Sequence, residues 1–321
     1  MTKEQIPVDR IETCNSCGSG AAEVVSRSRD FQYDTCSNEF SFVRCKNCGL
    51  VYLRDRPAVS TLDIIYPPNY GPYNFEKRVG SFINKFRDFV QSKKIAPIIK
   101  LAPLDAVVVD VGCGGGALLR IMRRLGPRGW RLVGVDLSDA AIRKLADDAI
   151  EGRAGRFETM EWNLASPDVI VMNQVIEHLD NPSGVVRRSF ELLKPGGILL
   201  VETPSVDAWD ARLFWDRHWG GWHTPRHWTL YTPDTLSALA QGHGFELVEV
   251  KHILSPTFWL QSVNAWMIER PALRRFAGFF DIKNFVALTL ATSLDYVQLW
   301  STGKTSNFRL VARKPARAND S

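Results

Sequence analysis

The sequence predicts an α/β protein built on a doubly wound, mostly parallel sheet, preceded by a small β domain held by a metal ion. Three observations predict it. From residue 105 onward, apolar strand-like runs alternate with helical stretches, the order that yields a parallel sheet covered on both faces. A glycine-rich turn, Gly112-Cys113-Gly114-Gly115-Gly116, joins the first of these strands to the first helix. Two Cys-x-x-Cys-Gly knuckles, one beginning at Cys14 and one at Cys45, lie well ahead of that turn.

The chain has 321 residues, 45% hydrophobic and 23% charged, ordinary for a globular protein with a sizeable core and one large domain plus a small one. Its formal net charge of +5 is spread along the chain. That mild excess is compatible with an anionic substrate, a nucleic acid or a membrane surface and selects none of them. The polar start MTKEQIPVDR has no apolar stretch of the secretory kind, and no run approaches the ~20 apolar residues of a membrane span. The expected location is the cytoplasm, with peripheral contact at the inner face of the membrane as an option. In a reducing compartment, paired cysteines read as metal ligands before disulfides.

Four regions follow from texture. Residues 1–55 hold five of the six cysteines and alternating stretches such as Phe40-Ser41-Phe42-Val43-Arg44, which read as a small N-terminal β zinc ribbon. Residues 56–104 form a linker with an amphipathic helix, Phe82, Phe86 and Phe89 sharing one face. Residues 105–314 carry the strand–helix alternation: Val107-Val108-Val109, then Ala117 to Leu125, then Leu132 to Val135, then Asp139 to Ala149. Val169 to Met172 and Ile198 to Val201 are further strands. Thr232, followed by Pro233, reads as a helix N-cap. Phe245 to Lys251 and Phe308 to Arg313 form a hairpin-like pair split by a helical insert at about 255–305. Residues 315–321 read as a disordered tail.

The knuckles place Cys14, Cys17, Cys45 and Cys48 as ligands of one structural Zn²⁺. Two residues between cysteines let both thiolates reach the same ion, and four thiolates close a tetrahedral shell to water. Such a staple suits a domain too small to fold on its apolar core alone. Cys36 stands between the pairs without a partner.

The glycine-rich turn lacks the Gly-Lys-Ser/Thr ending of a phosphate loop and the Gly-x-Gly-x-x-Gly spacing of a dinucleotide site. Asp110, just before Gly112, suits the cationic side of a zwitterionic ligand and would repel a pyrophosphate. Asp136, at the end of the next strand, is placed to accept both hydroxyls of a ribose.

Asp110 to Gly116 together with Asp136 resembles motifs I and II of the class I S-adenosylmethionine-dependent methyltransferases. Asp168 to Leu179 is similar to that family's fourth strand and following loop, and Leu193-Lys194-Pro195-Gly196-Gly197 to its turn before the fifth strand. The resemblance covers about residues 105–252 and implies a Rossmann-like, seven-stranded sheet. It also implies S-adenosylmethionine as cofactor, with Gly112, Cys113, Gly114 and Gly116 approaching it. Asp136 would bind the ribose, Leu137 would flank the adenine, Phe157 and Glu158 would lie at the adenine contact, and Asn173 near the methionine portion. A ribbon followed by such a domain is similar to methyltransferases of sugar and polysaccharide pathways, although the large C-terminal domain of the deoxysugar C-methyltransferases has no counterpart here.

A general base is expected among the histidines, whose ordinary pKa lies near neutrality. His178 follows the fourth strand beside Glu177, which could orient it or help hold a metal, in a motif resembling quinone O-methyltransferases. His223 and His227 lie in Trp219-Gly220-Gly221-Trp222-His223-Thr224-Pro225-Arg226-His227-Trp228, after the fifth strand, and are favoured over the others. In that stretch the tryptophans could wall a sugar or ring, and Arg226 could bind a phosphate or carboxylate. Seven of the ten tryptophans fall between 209 and 266. The aromatic insert reads as a lid, a membrane contact or a homodimer surface. The expected function is methyl transfer to a small-molecule acceptor, a sugar, glycolipid or polysaccharide intermediate. The alternatives are RNA modification guided by the ribbon and a quinone-type O-methyltransferase. Basic residues are not concentrated in the ribbon, so nucleic acid is not the expected partner.

Overall fold

The computed structural model describes residues 4–67, 95–148 and 150–316. The helix expected at Phe82, Phe86 and Phe89 and the tail from 317 lie outside the described residues.

The main sheet has seven strands in the order β12-β13-β10-β9-β6-β7-β8. They are β6 (Val107–Val111), β7 (Arg131–Asp136), β8 (Glu151–Ala154), β9 (Val169–Asn173), β10 (Ile198–Pro204), β12 (Glu246–His252) and β13 (Asn307–Arg313). β13 runs antiparallel to both β10 and β12; the other pairings are parallel. The β-branched run of β6 is buried along its whole length, as a central strand covered on two faces must be. β12 is an edge strand whose residues are mostly exposed, and Glu246, Glu249 and Lys251 discourage further pairing there.

Three of the helices around the main sheet begin on side-chain caps. Ser138 accepts from the Ala141 N–H at α3 (Asp139–Arg143), and Asn181 from the Gly184 N–H at α4 (Pro182–Leu192). Thr232 and Thr235 close a reciprocal box at α6 (Pro233–Gly242). The helix expected from Asp139 to Ala149 ends at Arg143, with a 3-10 turn at Ala146–Asp148. α2 (Ala117–Leu125) turns Leu118, Leu119, Ile121 and Met122 inward.

The N-terminal region forms a second sheet, β2 (Ala22–Ser28), β3 (Phe40–Cys45) and β4 (Val51–Leu53), and its fourth strand comes from far along the chain. β11 (Thr229–Leu230) pairs with β4, Thr229 opposite Tyr52 and Leu230 opposite Val51. The apolar core is continuous across the two sheets. Val43, Leu50 and Tyr52 pack in one cluster with Val109, Ile170 and Leu199, while Phe40, Phe42 and Leu53 pack with Trp219, Trp222 and Trp228. The tryptophans of the 219–228 stretch are therefore core residues, 1–5% exposed, and do not wall an open binding surface.

Between β12 and β13 stand α7 (Thr257–Ile268) and α8 (Phe285–Thr302). α8 buries Ala287, Ala291, Asp295 and Gln298, and Gln298 bonds Asp210 through both ends of its amide. Leu290, Leu294, Val297 and Trp300 face outward, Trp300 at 89% exposure. Among the described residues no helix is long and apolar enough to cross a membrane.

Candidate functional site

Strand order reverses between β6 and β9, so the loops leaving their carboxyl ends part and open a crevice, the usual ligand position in such sheets. A cleft opens there, lined by Asp110, Gly112, Cys113, Ala117, Leu118, Ile121 and Asn173. Gly112, Gly114 and Gly116 all have positive φ, a conformation glycine adopts without steric penalty. Their surroundings differ. A Cβ on Gly112 would meet the Val175 side chain at 2.5 Å, and one on Gly116 would collide with Leu145, whereas one on Gly114 would enter open space. Gly112 and Gly116 are thus required by packing, and Gly114 is the glycine with room above it.

Asp136 is held at the end of β7 by two backbone donors, the Gly114 N–H to Oδ2 and the Ser138 N–H to Oδ1, both at 2.9 Å. Each carboxylate oxygen retains a second lone pair for an incoming hydroxyl. Asp110 is 3% exposed. Burial first, and then the charge of Asp136, pushes its carboxyl up to about 8. Burial likewise raises the Cys113 thiol, which leaves it a protonated, apolar lining atom. Leu137 is exposed beside Asp136. Phe157 is buried and meets Trp162 edge-on. The Glu158 carboxylate is occupied by Arg156, whose guanidinium also bonds Asp180.

The loop leaving β9 passes Val175, packed under Gly112, and turns through Ile176–His178. It meets the loop that runs from β10 to β11, which carries His223 in a left-handed conformation at φ 38° and a cis Thr224–Pro225 bond. Together they bring His178, His223 and His227 into one cluster. Ring centroids are 4.7 Å apart for His178 and His227, 4.8 Å for His223 and His227, and 6.2 Å for His178 and His223. Burial holds all three below the ordinary imidazole range, His178 down to about 4. At neutral pH they are uncharged and carry a lone pair.

Glu177 is fully buried beside them, and burial pushes its carboxyl up to about 8. Its Oε2 accepts from the Thr203 hydroxyl at 2.9 Å. Arg226 is wholly buried and spent on structure. It holds Asp30 through both terminal nitrogens, donates to the Ile65 and Thr224 carbonyls, and lies over the Tyr33 ring. The expectation that it receives a substrate anion is corrected accordingly. The other three histidines lie apart: His218 bonds Glu269, His243 bonds Ser183, and His252 bonds the Thr305 backbone.

The four knuckle cysteines form a second cluster, their sulfurs within 4.8 Å of one another. Cys14 and Cys48 are 3.6 Å apart, Cys17 and Cys45 3.5 Å. Sulfurs about 2.3 Å from a tetrahedral Zn²⁺ stand about 3.8 Å from each other, so the set fits that ion. Gly18 and Gly49 turn each knuckle at positive φ, with the Gly18 and Gly49 N–H groups bonding the Cys14 and Cys45 carbonyls.

A family model described as a methyltransferase domain matches residues 84–250, just over half of the chain, and the chain belongs to that family. It is 29% identical over 161 residues to the ubiquinone biosynthesis O-methyltransferase of Idiomarina loihiensis, covering 46% of this chain and 64% of that one. To the protein of the same name from Caulobacter vibrioides it is 36% identical over 110 residues, 32% of this chain and 42% of the relative. The chain thus spans less than two thirds of these curated relatives. The crystal structure of phosphoethanolamine N-methyltransferase 2 from Haemonchus contortus, in complex with S-adenosyl-L-methionine, covers 96% of this chain and 71% of its own, with TM-score 0.50 and 16% identity. That likeness is one of fold.

Proposed function

We infer that the protein moves a methyl group from S-adenosylmethionine to an oxygen of a small-molecule acceptor, with the four cysteines holding a structural Zn²⁺. The observation that carries this reading is the turn from Asp110 to Gly116 beside Asp136, with a cluster of uncharged histidines where the loop that packs Val175 under Gly112 meets the loop to β11. When bound, the cofactor supplies an electrophilic methyl on a sulfonium. In this reading Asp136 takes the ribose hydroxyls while Gly114 leaves room for the ligand. Gly112, Cys113, Gly116 and Leu137 shape the surrounding turn. Asp110 faces the cationic methionine end, with Asn173 alongside. Phe157 bounds the adenine side, with Glu158 behind it.

An acceptor hydroxyl must lose its proton as the oxygen attacks, and an imidazole lone pair can take it. His227, the most deeply buried of the three, and His223 are assigned that role ahead of His178, which lies on the other loop. The name shared by the relatives favours a quinol or phenol hydroxyl, and the sugar or glycolipid hydroxyl expected from the sequence remains in the same chemical class. Calorimetry is expected to show S-adenosylmethionine binding to the wild type and at least about tenfold weaker binding to Asp136→Ala. Equal affinity in the variant would remove the ribose assignment. His227→Ala should lower turnover about 10²–10⁴-fold while cofactor affinity stays. Protein purified without chelators should carry at least about one zinc per chain, and a folded, metal-free preparation would overturn the zinc reading.

A further inference from the structure

We propose that Glu177, His178 and His227 form a second metal site, which binds a first-row divalent cation through one carboxylate oxygen and two imidazole nitrogens. The three residues offer ligand atoms within 4.8 Å of one another. Oε1 of Glu177 is 4.0 Å from Nε2 of His178 and 3.9 Å from Nε2 of His227.

The hydrogen bonds around the cluster decide which atoms face inward. Nδ1 of His227 lies 2.7 Å from the Gly221 carbonyl and Nδ1 of His178 3.0 Å from the Arg226 carbonyl. A carbonyl only accepts, so Nδ1 of His227 carries the proton; Nδ1 of His178 lies 3.0 Å from both that carbonyl and the Tyr66 hydroxyl, and the tautomer that donates to the carbonyl, with the hydroxyl as a second acceptor, likewise leaves its Nε2 with a lone pair. Thr203 donates to Oε2 of Glu177, which leaves Oε1 as the inward oxygen, and that buried atom has no hydrogen-bond partner among the described residues. With the Glu177 carboxyl ionised, three acceptors converge on one point with no donor between them, in a place 0% exposed at Glu177 and 5% at His227. Converging lone pairs in a dry site repel unless a cation or a proton lies among them. At 3.9–4.0 Å a proton on Oε1 is too far from either nitrogen to make a hydrogen bond.

Outer hydrogen bonds that fix each ligand's tautomer and aim are characteristic of built metal sites, and each of the three residues has one. Ligands about 2.1 Å from a common ion stand about 3.0–3.4 Å apart, so binding draws Oε1 and each Nε2 together by roughly half to one ångström. Two imidazoles with one carboxylate select Zn²⁺, Fe²⁺ or Mn²⁺ over Ca²⁺. His178 sits at the open side, its side chain 20% exposed, so the remaining coordination positions can take an oxygen of the acceptor, a role that rests on the methyl-transfer reading. With the ion held, the Nε2 lone pair of His227 is used as a ligand and the proton-accepting role passes to His223, the imidazole of the cluster that is not a ligand.

The test uses the full chain with its cysteine-bound zinc in place. Mn²⁺, which thiolates hold poorly, is titrated in and followed by the electron spin resonance of the free ion, with Zn²⁺ as competitor. One Mn²⁺ is expected per chain, displaced by one added Zn²⁺, and affinity should fall about 100-fold in Glu177→Gln and in His227→Gln. No uptake of Mn²⁺ or further Zn²⁺ by the wild type, or undiminished uptake by either variant, would overturn the site. Melting temperature and S-adenosylmethionine affinity are read on the same samples. Cofactor binding without metal uptake strikes the metal site alone; metal uptake without cofactor binding strikes the methyl-transfer reading alone.

Discussion

Replacing Arg226 by Leu is expected to cost about 3–5 kcal/mol of folding stability, the range for removing one partner of a buried ion pair. Arg226 and Asp30 are both 0% exposed at their side chains and 2.9 Å apart. Burial alone would raise the Asp30 carboxyl, but the hydrogen bonds and charge of Arg226 outweigh it and hold Asp30 below its ordinary value. Without the guanidinium, the buried carboxylate keeps only its neutral donors, the Gln32, Tyr33 and Thr35 N–H groups and the Thr35 hydroxyl, and its pKa rises. The deficit is therefore largest at neutral pH and shrinks as the pH falls and Asp30 takes up a proton. Urea melts of both proteins at pH 5 and pH 7.5 measure it. Asp30→Asn on the Arg226→Leu background should recover part of the loss at pH 7.5. A single variant as stable as wild type would show that the pair contributes nothing.

The second large effect concerns the cofactor cleft. Asp110, with its carboxyl pushed up to about 8 by burial and by Asp136, is mostly protonated at pH 7 in the ligand-free protein. In the proposed complex a cationic ligand beside it favours the charged form and lowers that pKa. Binding near pH 7 then releases a proton, and affinity rises with pH until about 8, where the free protein is already ionised. Calorimetry in buffers of different ionisation enthalpy reads the proton directly. Asp110→Asn should release none and lose the pH dependence. The folding sign is the reverse. A carboxyl raised in the folded state gives stability that is fully present below the ordinary pKa of 3.8 and lost as pH rises through about 8. Ligand-free wild type should thus lose stability relative to Asp110→Asn across that window, by up to about 4 kcal/mol at pH 7. Parallel curves for the two proteins would refute the shift.

The central strands were legible because runs such as Val107-Val108-Val109 and Val169 to Met172 are apolar on both faces. β8 was not. Glu151-Gly152-Arg153-Ala154 lies at a sheet edge, where half of the covering is absent and charge is tolerated. β11 has two residues and is defined only by its pairing with β4, nearly 180 positions earlier, which no local pattern encodes. Composition marked the tryptophan-rich stretch but could not tell a binding wall from a core, since the same rings fill both. Arg226 misled for a related reason: its counter-ion, Asp30, is distant in sequence and sits in no recognisable motif. Position in the loops after the fourth and fifth strands singled out His178, His223 and His227. Thr203, which aims Glu177, and the Gly221 and Arg226 carbonyls, which fix the tautomers, carried no sequence signal, because any residue supplies a carbonyl.

Because a strand from the far side of the polypeptide finishes the cysteine-bearing sheet, the two halves cannot be cut apart. A fragment trimmed to the glycine-turn half would bare Trp222, Trp228 and Leu230 and leave Arg226 without a counter-charge; it should collect as insoluble aggregate. Stress at the thiols has a direct route inward along the same seam. Oxidising them, or withholding the zinc proposed for them, would slacken the segment that carries His223 and His227, so that zinc-starved cells would be expected to lose the enzyme's chemistry before its fold.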